Sequence, residues 1–124
     1  MEPVGRILLA EDEPGIAEPV IEELSLRGHN VKWVRAVREL RTELPEYRPD
    51  VLLLDVTLET DGLELFQAIR FSPECPPGGV VVLTAPGDIP MRERAAQLGA
   101  AAVISKPLST DHLASIVEDL LTLI

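Results

Sequence analysis

Val51-Leu52-Leu53-Leu54-Asp55 is an aliphatic run that ends on a carboxylate. An extended chain sends successive side chains to opposite faces, so a strand that is apolar without alternation is covered on both. Three more short runs, Ile7 to Ala10, Val80 to Leu83 and Ala100 to Ile104, are bounded by turn residues and read the same way. A fifth, Val31 to Val34, carries Lys32 and Trp33 and reads as an edge strand.

Helical spacing fills the intervals. Val37, Leu40 and Leu44 mark one helix; Leu65, Phe66 and Ile69 mark another, after an Asp61 N-cap with Glu64 three residues on. The last is the clearest: Leu113, Ile116, Val117, Leu120, Leu121 and Ile124 form one apolar stripe, with Ser109 or Thr110 as its cap. Gly28 and Gly99 are placed to end the first and fourth helices. Pro19 conflicts with this pattern, since a proline inside a helix costs about 3 kcal/mol and predicts a kink or a late helix start. A strand followed by a helix, five times over, predicts a doubly wound α/β fold: a parallel sheet with helices on both faces, in a single domain over residues 1–124.

With 46% apolar residues but only 3% aromatic, the core of these 124 residues must be aliphatic. A net charge of -10 opposes a phosphate backbone and leaves no basic footprint, so direct nucleic-acid binding is not expected. The lone cysteine, Cys75, has no internal partner and reads as an incidental loop thiol, which fits a reducing cytoplasm. No apolar string approaches the roughly 20 residues of a membrane span.

In open α/β sheets ligands sit beyond the carboxyl ends of the strands. There the sequence places Glu11-Asp12-Glu13, Asp55, Thr84 and Ser105-Lys106-Pro107. If the first and third strands are neighbours, Glu11, Asp12 and Asp55 converge, and like charges about 4 Å apart repel by roughly 4 kcal/mol at an effective dielectric of 20. Mg²⁺ suits such an oxygen set, and Lys106 adds a charge opposite. Each residue alone has a structural explanation, as a cap or a solvated strand end; together at matching strand ends they point to a site. His29 reads as a turn residue and His112 as helix surface, neither with metal-ligand company.

Ile7-Leu8-Leu9-Ala10-Glu11-Asp12-Glu13, Val51-Leu52-Leu53-Leu54-Asp55, Asp61-Gly62-Leu63-Glu64-Leu65, Val82-Leu83-Thr84-Ala85 and Ser105-Lys106-Pro107 together resemble the receiver domain of two-component response regulators. The resemblance covers nearly the whole chain and implies a flavodoxin-like sheet of order 2-1-3-4-5. It implies that Asp55 is a phosphoacceptor attacking a phosphohistidine or small acyl phosphate. Glu11, Asp12, Asp55 and the Thr57 backbone carbonyl would hold Mg²⁺, directly or through water, and Thr84 and Lys106 would bind phosphoryl oxygens. The Lys106–Pro107 bond would be cis. The implied partners are a histidine kinase or histidine phosphotransfer protein and a downstream effector, with no turnover of an external substrate beyond the phosphodonor.

Two departures from the family stand out. Val56-Thr57-Leu58-Glu59-Thr60 makes a shorter loop than usual, with Glu59 where proline is common, and Val103 stands where a switching Tyr or Phe often sits. Two other readings compete: a receiver-like docking module that is not phosphorylated, and a haloacid-dehalogenase-type phosphatase. The latter wants a second Asp where this chain has Thr57. Pro14, Gly15, Ile16, Pro107 and Leu108 are expected to form a docking patch for a histidine-bearing helix.

Overall fold

The computed structural model describes residues 3–58 and 62–124. Strands β1 (Arg6–Ala10), β2 (Asn30–Val34), β3 (Val51–Asp55), β4 (Val80–Thr84) and β5 (Ala102–Ser105) alternate with helices α1 (Pro14–Leu26), α2 (Val37–Tyr47), α3 (Gly62–Ile69), α4 (Ile89–Gln97) and α5 (Thr110–Leu121). The strands form one parallel sheet in the order β2-β1-β3-β4-β5, as the resemblance implies.

Side-chain alternation divides the core. Ile7, Leu9, Val51, Leu53, Val81 and Leu83 face one way and pack with Ala17, Val20 and Leu24 of α1 and Leu113, Ala114 and Val117 of α5. The alternate residues Leu8, Ala10, Leu52, Leu54, Val80 and Val82 pack with Val37, Leu40 and Leu44 of α2, Leu65 and Phe66 of α3, and Ala95 of α4. The central strands therefore have no polar face to spare, which is why β3 and β4 are apolar without alternation.

Several elements differ in detail from the sequence expectation. β5 is half-buried along its length, not sealed on both faces, because it is the second edge of the sheet. The α5 stripe stops at Leu121, and Ile124 is 60% exposed beyond the helix. α1 starts at Pro14 and continues through Pro19, so no late start occurs; Pro19 has no amide to meet the Gly15 carbonyl. Gly28 and Gly99, at φ +91° and +92°, adopt the left-handed backbone that terminates α1 and α4. The Ser109 hydroxyl caps α5 by accepting from the His112 amide at 3.2 Å. The cap expected at Asp61 and the loop positions Glu59 and Thr60 lie outside the described residues.

His29 is not a simple turn residue. Its buried ring accepts from the Gly5 amide at Nδ1 (3.2 Å), and Nε2 lies 3.1 Å from Glu118 Oε2. A backbone donor at Nδ1 requires a lone pair there, so Nε2 carries the proton toward Glu118. Arg27 joins the same network at 2.8 Å to Glu23 Oε2 and 2.8 Å to Glu118 Oε1, and also bonds Asp111. Burial pushes the Glu118 carboxyl up, but the His29 and Arg27 hydrogen bonds outweigh it and hold the group below its ordinary value. This network ties the end of α1 to α5. Among the described residues no helix is long and apolar enough to cross a membrane.

Leu53 is fully buried in the middle of β3. Leu53→Ala should lower unfolding free energy by about 2–5 kcal/mol, whereas Leu123→Ala at the exposed end should stay within roughly 0.5 kcal/mol. Urea midpoints at an unchanged slope check both.

Candidate functional site

The sheet register brings the strand ends level. Ala10 pairs with Leu54, Asp55 with Leu83 and Thr84 with Ser105. Glu11 therefore follows β1 beside Asp55, and Lys106 follows β5 one step beyond Thr84. Glu11 and Asp55 are both fully buried, while Asp12 is exposed. One carboxylate oxygen from each of Glu11, Asp12 and Asp55 lies within 4.8 Å of the others.

Lys106 sets one positive charge against this group. Its Nζ is 2.9 Å from Asp55 Oδ2 and 3.0 Å from Glu11 Oε2. The Lys106–Pro107 peptide, which the lysine precedes, is cis, as the resemblance implies. The other Asp55 oxygen, Oδ1, accepts from the Thr57 amide at 2.8 Å and the Thr57 hydroxyl at 2.6 Å. Both oxygens of Asp55 are thus held, one by a cation and one by a tight turn.

The electrostatics of the two buried carboxyls diverge. Burial raises Glu11 to about 7; the Lys106 hydrogen bond opposes that rise, and the nearby Asp55 charge reinforces it. Burial also acts to raise Asp55, but the Thr57 hydroxyl, Lys106 and the Thr57 amide outweigh it and leave the carboxyl below its ordinary value. Asp55 is therefore the ionised, hydrogen-bonded member of the pair. Burial works against the Lys106 charge, yet its bonds to Asp55 and Glu11 prevail and raise it.

The oxygen set suits a hard divalent cation. Glu11 Oε1 accepts from the Glu13 amide at 3.2 Å, and the Lys106 ammonium, 3.0 Å away, faces buried Glu11 Oε2. A carboxylate oxygen has more than one lone pair, so the contact with Lys106 leaves Glu11 able to serve as an oxygen ligand beside Asp12 and Asp55.

Thr84 is brought to the same rim, where its hydroxyl is turned to β5. It stands one residue beyond Asp55 in register and so takes the alternate parity. Its buried hydroxyl meets the Ile104 carbonyl at 3.5 Å and Ser105 Oγ at 3.4 Å, both on β5.

Sequence reasoning credited Thr57 with its backbone carbonyl alone and missed its hydroxyl. The Asp-x-Thr spacing could have revealed it, because an Asp side chain commonly accepts from the backbone two residues on. Trp33 and Arg35, which bond the carbonyls of Glu11 and Asp12 at 2.7 and 2.9 Å, were also missed; only the fold brings them there.

The sequence matches the family described as response regulator receiver domain over residues 7–118. Relatives include the nitrogen assimilation regulatory protein NtrX of Azorhizobium caulinodans, 34% identical over 90% of this chain, and the phosphate regulon transcriptional regulatory protein PhoB of Rhizobium meliloti, 32% identical over 94%. The chain covers 25% of the first and 52% of the second, so it spans a quarter to a half of their length. Among solved structures, a putative response regulator from Chloroflexus aurantiacus superposes with a TM-score of 0.86 at 26% identity, covering 97% of this chain and 99% of that one. The signal receiver domain of a signal transduction histidine kinase from Syntrophus aciditrophicus gives a TM-score of 0.84 at 33% identity, covering 97% and 92%. A five-stranded sheet in this order, an acidic cluster at its rim and a match across nearly the whole sequence establish that the chain belongs to the response regulator receiver domain family of two-component systems.

Proposed function

We propose that the domain accepts a phosphoryl group on Asp55 in a Mg²⁺-dependent reaction and thereby switches its protein contacts. One observation carries this reading: Asp55 Oδ2 is 2.9 Å from the Lys106 ammonium inside a three-carboxylate cup. Phosphoryl transfer asks chiefly for in-line positioning and for charge to be neutralised on the equatorial oxygens.

Glu11, Asp12, Asp55 and the Thr57 carbonyl would hold the ion, with some contacts through water. When bound, Mg²⁺ supplies positive charge to the cup and to a phosphoryl oxygen. An Asp55 oxygen attacks phosphorus, and the P–N bond of a phosphohistidine or the P–O bond of an acyl phosphate breaks, with the electron pair leaving on the imidazole or the carboxylate. Lys106 exchanges part of its contact with the carboxylates for a phosphoryl oxygen. The Thr84 hydroxyl has only long contacts to give up before it turns to another.

The phosphodonor partner is a histidine kinase or histidine phosphotransfer protein. A groove of about 360 Å³ lined by Ile16, Pro19, Pro86, Lys106, Pro107 and Leu108 offers the docking surface, and Lys106 belongs to both groove and cup. The output partner is an effector protein or domain. Val103 is half-buried against the α2, α3 and α4 side, and a branched aliphatic has no ring to rotate; displacement of α4 and its preceding loop therefore transmits the change.

Incubation with Mg²⁺ and acetyl phosphate should add the mass of one phosphoryl group to the wild type and none to Asp55→Asn. An equal adduct on both, or none on either, contradicts the assignment. Thr57→Val keeps the amide but removes the hydroxyl from Asp55 Oδ1, so the Asp55 carboxyl should titrate higher by carbon-detected NMR. An unmoved titration would show that the hydroxyl contributes nothing.

In the ion-free protein Glu11 keeps its proton up to about 7, whereas an unfolded chain releases it near 4.5. The folded state binds the extra proton across that window, so its contribution to stability is full below it and declines as pH rises through it. Glu11→Gln should remove this decline. Urea midpoints in EDTA at about pH 5 and about pH 8 should diverge between the two proteins at the higher pH, with the glutamine form the more stable.

A further inference from the structure

The turn that carries Glu11 and Asp12 is held from outside the cup. Trp33 Nε1 donates to the Glu11 carbonyl at 2.7 Å, and Arg35 Nη2 donates to the Asp12 carbonyl at 2.9 Å. The Arg35 guanidinium also lies over the Trp33 ring, 5.2 Å from its centroid. The last ladder pair between β1 and β2 is Ala10 with Val34, followed by one further bond from the Glu11 amide to the Val34 carbonyl at 3.1 Å. Beyond it the two carbonyls would be free of the sheet. Two stacked side chains from the end of β2 take them instead.

We propose that Trp33 and Arg35 are positioning residues for the divalent cation: they brace the backbone of Glu11 and Asp12 and so set where the two carboxylates point. This rests on the metal-dependent reading of the cup given above. The Asp12 side chain is exposed, so packing does not orient it; the backbone does. Adjacent carboxylates repel, and rotation of the peptide between residues 11 and 12 would part them. Mg²⁺ tolerates little of that, because it demands near-octahedral oxygens at about 2.0–2.1 Å. A turn ordered before the ion arrives does not lose that freedom on binding.

Two substitutions separate this role from simple support of the fold. Trp33→Phe keeps a six-membered ring for Arg35 to stack on and removes the indole N–H together with the pyrrole half of the ring. Arg35→Gln removes the guanidinium and its charge. Loss of a cation near the cup would by Coulomb's law tighten Mg²⁺, so a weakening is evidence for geometry; raising salt to about 0.5 M suppresses the charge effect.

Mg²⁺ titrations by calorimetry, with no phosphodonor present, should give dissociation constants raised about three- to tenfold in each variant, as loss of one ordinary hydrogen bond implies. The acetyl phosphate rate should regain the wild-type value at saturating Mg²⁺ while its half-saturating Mg²⁺ concentration rises by the same factor. Wild-type affinity in both variants, tighter binding in Arg35→Gln, or a rate depressed equally at every Mg²⁺ concentration would overturn the proposal. Absence of Mg²⁺ binding by the wild type would instead remove the metal-dependent reading, and the brace with it.

Discussion

The placement of one ammonium group between two buried carboxylates governs this structure. Lys106 is 2.9 Å from Asp55 and 3.0 Å from Glu11 at the rim of the sheet, where both acids are cut off from water. A buried carboxylate without a partner is strongly destabilising, so the three groups must arrive together or not at all. One cation for two buried acids, with Asp12 close by, still leaves the cup short of positive charge. Burial, reinforced by the Asp55 charge, raises the Glu11 carboxyl to about 7, while Asp55 stays ionised.

The fold supplies this arrangement through register. Strands apolar on both faces are locked between two helix layers, and a slip of one residue would send each side chain to the opposite layer, away from the partners it packs against. The same lock levels the ends of β1, β3, β4 and β5, so residues far apart in sequence meet at one edge. Parity then sorts them. Asp55 takes the side on which Lys106 reaches it, whereas Thr84 pairs with Ser105 on the other and keeps its hydroxyl on β5.

How much of this was legible depended on whether the signal was local. The central strands were readable because an unbroken aliphatic run followed by a carboxylate is a property of five consecutive residues, as in Val51 to Asp55. Glu11, Asp12, Asp55 and Lys106 were found by their place after such runs. What went unread was long-range. His29 looked like a turn residue until α5 brought Glu118 to its ring. Nothing near Trp33 or Arg35 says that their donors meet carbonyls 22 and 23 residues away. The half-exposure of β5 follows from its position at the sheet edge, which its own apolar sequence does not reveal.

The central claim is that the cup admits a cation and leaves one Asp55 oxygen for a phosphoryl group bound by Lys106. A crystal structure with Mg²⁺ and beryllium trifluoride would test it most directly. The expected result is an ion held by Glu11, Asp12, Asp55 and the Thr57 backbone carbonyl, directly or through water, with the fluoride adduct on Asp55 contacted by the Lys106 ammonium and the Thr84 hydroxyl. An ion or adduct bound elsewhere, with Lys106 still bridging Glu11 and Asp55, would contradict it.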